Sequence, residues 1–171
     1  MVALNAPVGA DKTLLAVAIA VAMAVVVGTA LGFEHIGGYI PCALCLEQRT
    51  PYYLGVPIMI AAALCATFKA PAAVTRLLFA LGGGLMLYGA ALGIYHAGVE
   101  WAFWEGPADC AGGASITTDA GNLLDDINAK KPPACNDAAL RVLGLSFAGW
   151  NVLASVALAF ACLRGAFTSK A

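Results

Sequence analysis

Charge is what this sequence has least of. Only 11% of its 171 residues are Asp, Glu, Lys or Arg, while 61% are hydrophobic; a soluble globular protein carries about 25% charged residues. That deficit, with a mean hydropathy of +0.85, excludes a water-soluble globule and leaves an integral membrane protein. Basic character is missing too. The net charge is −1, so the chain has none of the cationic footprint that nucleic-acid binding requires. Internal repeats, low-complexity tracts and a composition break are also absent, which leaves one membrane domain over residues 1–171.

What is present is a set of long uncharged runs. Residues 13–33 give 21 positions without a charge, 50–68 and 77–95 give 19 each, and 142–163 give 22. A helix needs roughly 20 apolar residues to cross a hydrocarbon core of about 30 Å. Backbone groups in lipid must bond within their own segment, so each run reads as a helix. The expected fold is an all-α integral membrane protein, a four-transmembrane-helix bundle with outer loops at 34–49 and 96–141. The first run reads as a span and not a signal peptide. Asp11-Lys12 make a poor n-region, and the run exceeds the 7–15 residues of an h-region.

The tails and the 69–76 loop carry five cations (Lys12, Lys69, Arg76, Arg164, Lys170) against one acid, Asp11. The outer loops carry four cations against nine acids. Orientation counts Lys and Arg in short loops, and long loops translocate regardless of charge. Leaving out the long 96–141 loop, the count is five to one, which puts both termini in the cytoplasm. Trp101, Phe103 and Trp104 in "GVEWAFWEGP" suit the membrane–water interface, where aromatic rings collect.

The six cysteines divide by position. Cys65 and Cys162 fall inside spans two and four and read as small buried hydrophobes. Cys42 and Cys45 lie in outer loop one, Cys110 and Cys135 in outer loop two, all on one side of the membrane. Disulfides persist there only if that compartment is oxidising. In "PCALCLEQRTPYY", Cys42 and Cys45 are one helical turn apart, on one face. A helix N-terminus favours thiolate, the species that attacks disulfides. Thr50-Pro51 disfavours a continuous helix, so the pair can also sit on a separate turn ahead of span two.

Other chemistries use the same residue type. Haem attachment needs C-x-x-C-H, and Leu46 follows Cys45, which excludes it. A structural zinc site needs four ligands; four outer cysteines supply the number, but Cys110 and Cys135 lack the second short knuckle. Two inert disulfides remain as an alternative, one closing a loop of about 26 residues at roughly 3–4 kcal/mol in the chain-entropy model. That reading leaves the C-x-x-C without a purpose.

The sequence resembles the bacterial quinone-dependent thiol oxidases of the DsbB type. "PCALCLEQR" resembles their first-loop signature, with Arg49 four residues after the second cysteine. "YHAGVEWAFWEGPADC" resembles the segment leading to their third essential cysteine, here Cys110. "CNDAALRVLGLSFAGWN" resembles the segment from their fourth, here Cys135, into the last span. The likeness runs over residues 13–164. One departure concerns the acid: Glu47 stands two before Arg49, with Gln48 between, so no essential role passes to Glu47.

The resemblance implies a mechanism. A thiolate of a periplasmic DsbA-like thioredoxin-fold partner attacks Cys110 of a disulfide between Cys110 and Cys135. Cys135 then attacks Cys42, and Cys45 is left to reduce a membrane quinone (ubiquinone or menaquinone). This DsbA–DsbB–quinone route is the established one that keeps the bacterial periplasm oxidising. The implied setting is the bacterial inner membrane, with the redox loops in the periplasm. Arg49 suits the quinone, as a permanent cation able to polarise a carbonyl, and His96 ranks second for the same headgroup. His35 reads as loop, and no resident metal is expected. Vitamin K epoxide reductase-like enzymes also face a quinone with C-x-x-C, but there the loop cysteines precede the motif, and here they follow it. A non-catalytic scaffold stapled by two disulfides is the alternative of a different class.

Overall fold

The computed structural model describes residues 10–106, 135–136 and 138–168. Cys110 lies outside them. Five helices are described: α1 Ala10–His35, α2 Ala43–Glu47, α3 Thr50–Thr67, α4 Ala72–Glu100 and α5 Phe147–Phe167. Among the described residues, four helical stretches are long and apolar enough to cross a membrane: α1, the α2–α3 stretch, α4 and α5. The chain is a multi-pass membrane protein.

The helices are longer than the uncharged runs. At 1.5 Å per residue, the 26 residues of α1 and 29 of α4 reach about 39 and 43 Å, more than the hydrocarbon core. A charge ends an apolar slab but leaves the helical hydrogen-bond ladder intact. Asp11, Lys12 and Glu34 therefore extend α1, while Arg76, His96 and Glu100 ride on α4. The last span behaves differently. It starts at Phe147 and not at Val142, because residues 141–146 form a hairpin. Leu143 and Gly144 both take positive φ, 52° and 84°, as a two-residue type I′ turn needs. The Trp150 indole N–H donates to the Val142 carbonyl at 3.0 Å, strapping the hairpin to α5. Ser146 then caps α5, its Oγ accepting from the Gly149 amide at 3.2 Å.

Helix α4 packs along α5 and α3, α1 packs on α3, and α1 meets α5 to close the bundle. Lipid tails are as apolar as Leu, so helices in a membrane associate through close packing and small residues. The α4–α5 contact shows this. A Cβ on Gly93 would lie 2.8 Å from Val152 Cγ2 and 3.2 Å from Asn151 Nδ2. Met23, Met59, Met86 and Phe79 fill the centre and are fully buried. Cys162 is buried beside Met59, its sulfur 3.8 Å from Sδ, while Cys65 is only half-buried on α3. At one end of the bundle, Lys12 Nζ donates to the carbonyls of Gly165 and Thr168, the latter at 2.7 Å. This ties the first helix to the last.

Candidate functional site: a dithiol between a disulfide and a cavity

The C-x-x-C pair sits on its own short helix. Pro51 disfavours helical backbone at Thr50, and the chain turns at Gln48 and Arg49 between α2 and α3. Cys42 is the N-cap of α2: its sulfur accepts from the Cys45 amide at 3.3 Å. The two sulfurs lie 3.0 Å apart in a thiol–thiol hydrogen bond. Both thiols are free, as are those of Cys65 and Cys162, whereas Cys135 is disulfide-bonded.

Cys42 is enclosed by the protein. It is buried with Leu44, Val99 and Cys135. Its sulfur, a ring nitrogen of His96 and the Cys135 sulfur all lie within 4.8 Å of one another. Cys135 is held in a disulfide, so it is not a metal-binding thiolate here. The hydrogen bond shared with Cys45 holds the Cys42 thiol well below the ordinary thiol range. His96 and the Cys45 amide add to this, against the opposing effect of burial. A sulfur favoured as thiolate, and so as a leaving group in disulfide exchange, therefore stands beside a disulfide.

Cys45 faces the other way, into a cavity of about 430 Å³. Its walls are largely apolar: Val25, Val26, Ala30 and Phe33 from α1, Tyr39 and Ile40 from the loop, and Phe147, Trp150 and Ala154 from α5. A few polar side chains converge on it, among them Arg49, Glu34, Gln48, Tyr52 and Asn151. That volume and mixture are those of a small-molecule site. Arg49 bonds the Glu34 carboxylate, and both side chains are largely shielded.

His96 does not line this cavity. It is buried on the Cys42 side, with Nε2 3.7 Å from Cys42 Sγ and 3.9 Å from Glu100 Oε1. Its Nδ1 meets Gln48 Nε2 at 2.7 Å. Glu47 accepts from the Tyr88 hydroxyl at 3.2 Å, outside the cavity. Trp101, Phe103 and Trp104 are exposed, with Trp104 stacked on Tyr95.

The family model for "Disulfide bond formation protein DsbB" matches residues 12–164. The chain belongs to the DsbB family. It is thus a four-span membrane protein of disulfide-bond formation, from a family of oxidoreductases associated with quinone use. Among curated proteins it is similar to an uncharacterized protein, RP370, of Rickettsia prowazekii (strain Madrid E). The two are 25% identical over 138 residues, 78% of this chain and 76% of the relative. No solved structure matches.

Four site residues escaped the sequence reading: Glu34, Gln48, Tyr52 and Asn151. Their signal was available. A polar side chain inside or beside a membrane span is a functional candidate by default, and Asn151 is the one amide side chain in the 142–163 run.

Proposed function

We infer that this DsbB-family protein is a dithiol:quinone oxidoreductase that reoxidises a periplasmic thioredoxin-fold partner of the DsbA kind. The observation that carries this reading is the divided outlook of one C-x-x-C pair, with Cys42 beside a disulfide sulfur and Cys45 in the apolar cavity. An inert scaffold has no use for that division.

The chain's own residues account for the thiol steps. A partner thiolate attacks Cys110 of the disulfide between Cys110 and Cys135, forming a mixed disulfide and releasing Cys135 as thiolate. Cys135 attacks Cys42 of an oxidised Cys42–Cys45 pair, and Cys45 leaves as thiolate into the cavity. The partner's second thiol resolves the mixed disulfide and departs oxidised. Cys110 then takes Cys135 back, leaving Cys42 and Cys45 as the dithiol. Two electrons have moved from the partner's dithiol, by way of the outer loop, to the cavity wall.

The cavity fits a quinone: its walls are apolar, and Arg49 places a fixed donor near Cys45. A bound quinone supplies the acceptor for the two electrons and two protons. Arg49 orients such a headgroup and favours negative charge there, while Phe33 and Phe147 offer it aromatic walls. His96 serves Cys42 and not the quinone. The setting is the inner membrane, termini cytoplasmic and the cysteine loops periplasmic, following the five-to-one count of cations in the tails and short loops.

The test is anaerobic. Detergent-purified protein, a reduced thioredoxin-fold partner and excess quinone are mixed, and quinone absorbance is followed. One quinol per partner disulfide is expected; a partner that stays reduced while quinone is unchanged overturns the reading.

A further inference from the structure

A row of hydrogen bonds crosses the bundle from α5 to Cys42, and its direction can be read. Asn151 Nδ2 lies 3.4 Å from the Gly89 carbonyl, which can only accept, so the amide nitrogen of Asn151 is on that side. The same nitrogen donates to Gln48 Oε1 at 2.7 Å. Asn151 Oδ1 in turn accepts from the Tyr52 hydroxyl at 2.7 Å. Gln48 is fixed the same way: its Nε2 donates to the Leu44 carbonyl at 3.2 Å. That nitrogen also faces His96 Nδ1 at 2.7 Å.

An amide nitrogen has no acceptor capacity. His96 Nδ1 must then be bare, and in the neutral ring the proton sits on Nε2. Nε2 is the atom that faces Cys42 Sγ, 3.7 Å away, while Glu100 Oε1 lies 3.9 Å off, beyond hydrogen-bond reach.

We propose that Gln48 and Asn151 are positioning residues that hold His96 in the Nε2–H tautomer, so that the ring donates to the Cys42 sulfur and does not act as its base. This rests on the proposed function only in taking Cys42 as a redox sulfur. Neither amide touches Cys42; they act through His96. Among the described residues, the groups facing Cys42 are Cys45, His96 and the disulfide sulfur of Cys135, with Glu100 beyond the ring. Gln48 and Asn151 also line the cavity, so the row links its wall to the Cys42 sulfur.

The decisive measurement needs no variant. With histidine labelled in its ring nitrogens, NMR of the reduced full-length protein in detergent distinguishes a bare from a protonated Nδ1. His35→Gln assigns the second ring. A bare Nδ1 and protonated Nε2 on His96 are expected; the opposite tautomer overturns the proposal, whatever the enzyme does with quinone. Gln48→Glu is nearly isosteric and replaces the donor by an acceptor, and it should move a proton onto Nδ1. Gln48→Leu removes the restraint and should shift the pH profile of Cys42 alkylation upward by roughly 1–2 pH units, the scale of one hydrogen bond to a charged group. An Nδ1 that stays bare in Gln48→Glu, or alkylation unchanged in Gln48→Leu, would equally sink it. Absent quinone reduction with a bare Nδ1 would instead leave this inference standing and remove the proposed function.

Discussion

Arg49 reaches the cavity already paired, its guanidinium bonded to the carboxylate of Glu34 at the end of α1. The pair joins the first helix to the turn after the C-x-x-C, and it holds the fork of Arg49 in one place. A lysine keeps the charge and loses the planar fork. Arg49→Lys is therefore expected to raise the apparent KM for quinone by about 10- to 150-fold, the range given by losing one charged hydrogen bond of roughly 1.5–3 kcal/mol. Thiol exchange with the partner should hardly change. Steady-state kinetics over a quinone titration decide it, and an unchanged KM at normal expression removes Arg49 from the site.

Glu34→Gln leaves Arg49 charged and without its counter-ion. Both side chains are largely but not fully shielded, so the cost should lie between the exposed and buried limits, roughly 1–3 kcal/mol. Unfolding in mixed detergent measures this directly. A change inside error would mean that the pair is solvated.

The lowered pKa of Cys42 has a definite sign. A thiol with a depressed pKa stays ionised as pH falls, so its alkylation should already be near its plateau at pH 7. It should decline only in acid, unlike an ordinary thiol that titrates near pH 8.5. The Cys45 thiol is the largest cause, so Cys45→Ala should move the Cys42 profile upward, toward the ordinary range. Peptide mass spectrometry after timed alkylation reads both profiles. Superimposable curves would show that Cys45 does not support the thiolate.

Cys42, Cys45, Cys110 and Cys135 should each be needed for turnover. Cys65→Ser and Cys162→Ala should retain it, since Cys162 is buried in the apolar core, Cys65 is half-buried on α3, and neither lines the cavity or the cluster around Cys42. A folded but inactive Cys65→Ser protein would mean that the redox cysteines are misassigned.

Two glycines of α4 should respond to alanine with opposite signs. Gly84 has open space where a Cβ would go, so Gly84→Ala should stabilise the helix by about 0.5–1 kcal/mol. Gly93→Ala meets Val152 and Asn151, and overpacking of that kind costs about 1–3 kcal/mol. Thermal unfolding of both variants in one detergent makes the comparison.

The spans and the sorting of cysteines were legible because lipid imposes a one-dimensional rule: charges cannot lie inside an uncharged run of bilayer length. The site was only partly legible. Nothing local places Glu34 against Arg49 or Asn151 against Gln48; those contacts exist because α1 and α5 flank the same turn. The height of His96 on α4 puts it within reach of the quinone headgroup, but height does not give azimuth, and its Nε2 lies 3.7 Å from Cys42 Sγ. The hairpin before α5 was missed for a similar reason. Val142, Leu143 and Leu145 are apolar enough to be counted into a span, and only the paired left-handed residues show the turn.

The clamp between Lys12 and the carbonyls of Gly165 and Thr168 has a consequence for synthesis. Its partners are 153 and 156 residues apart in the chain, and the cavity wall is likewise shared between α1 and α5. A nascent chain that has delivered the C-x-x-C into the bilayer still lacks the last stave. The pocket beside Cys45 closes only after α5 has been made, so a half-made molecule has no enclosed cavity there.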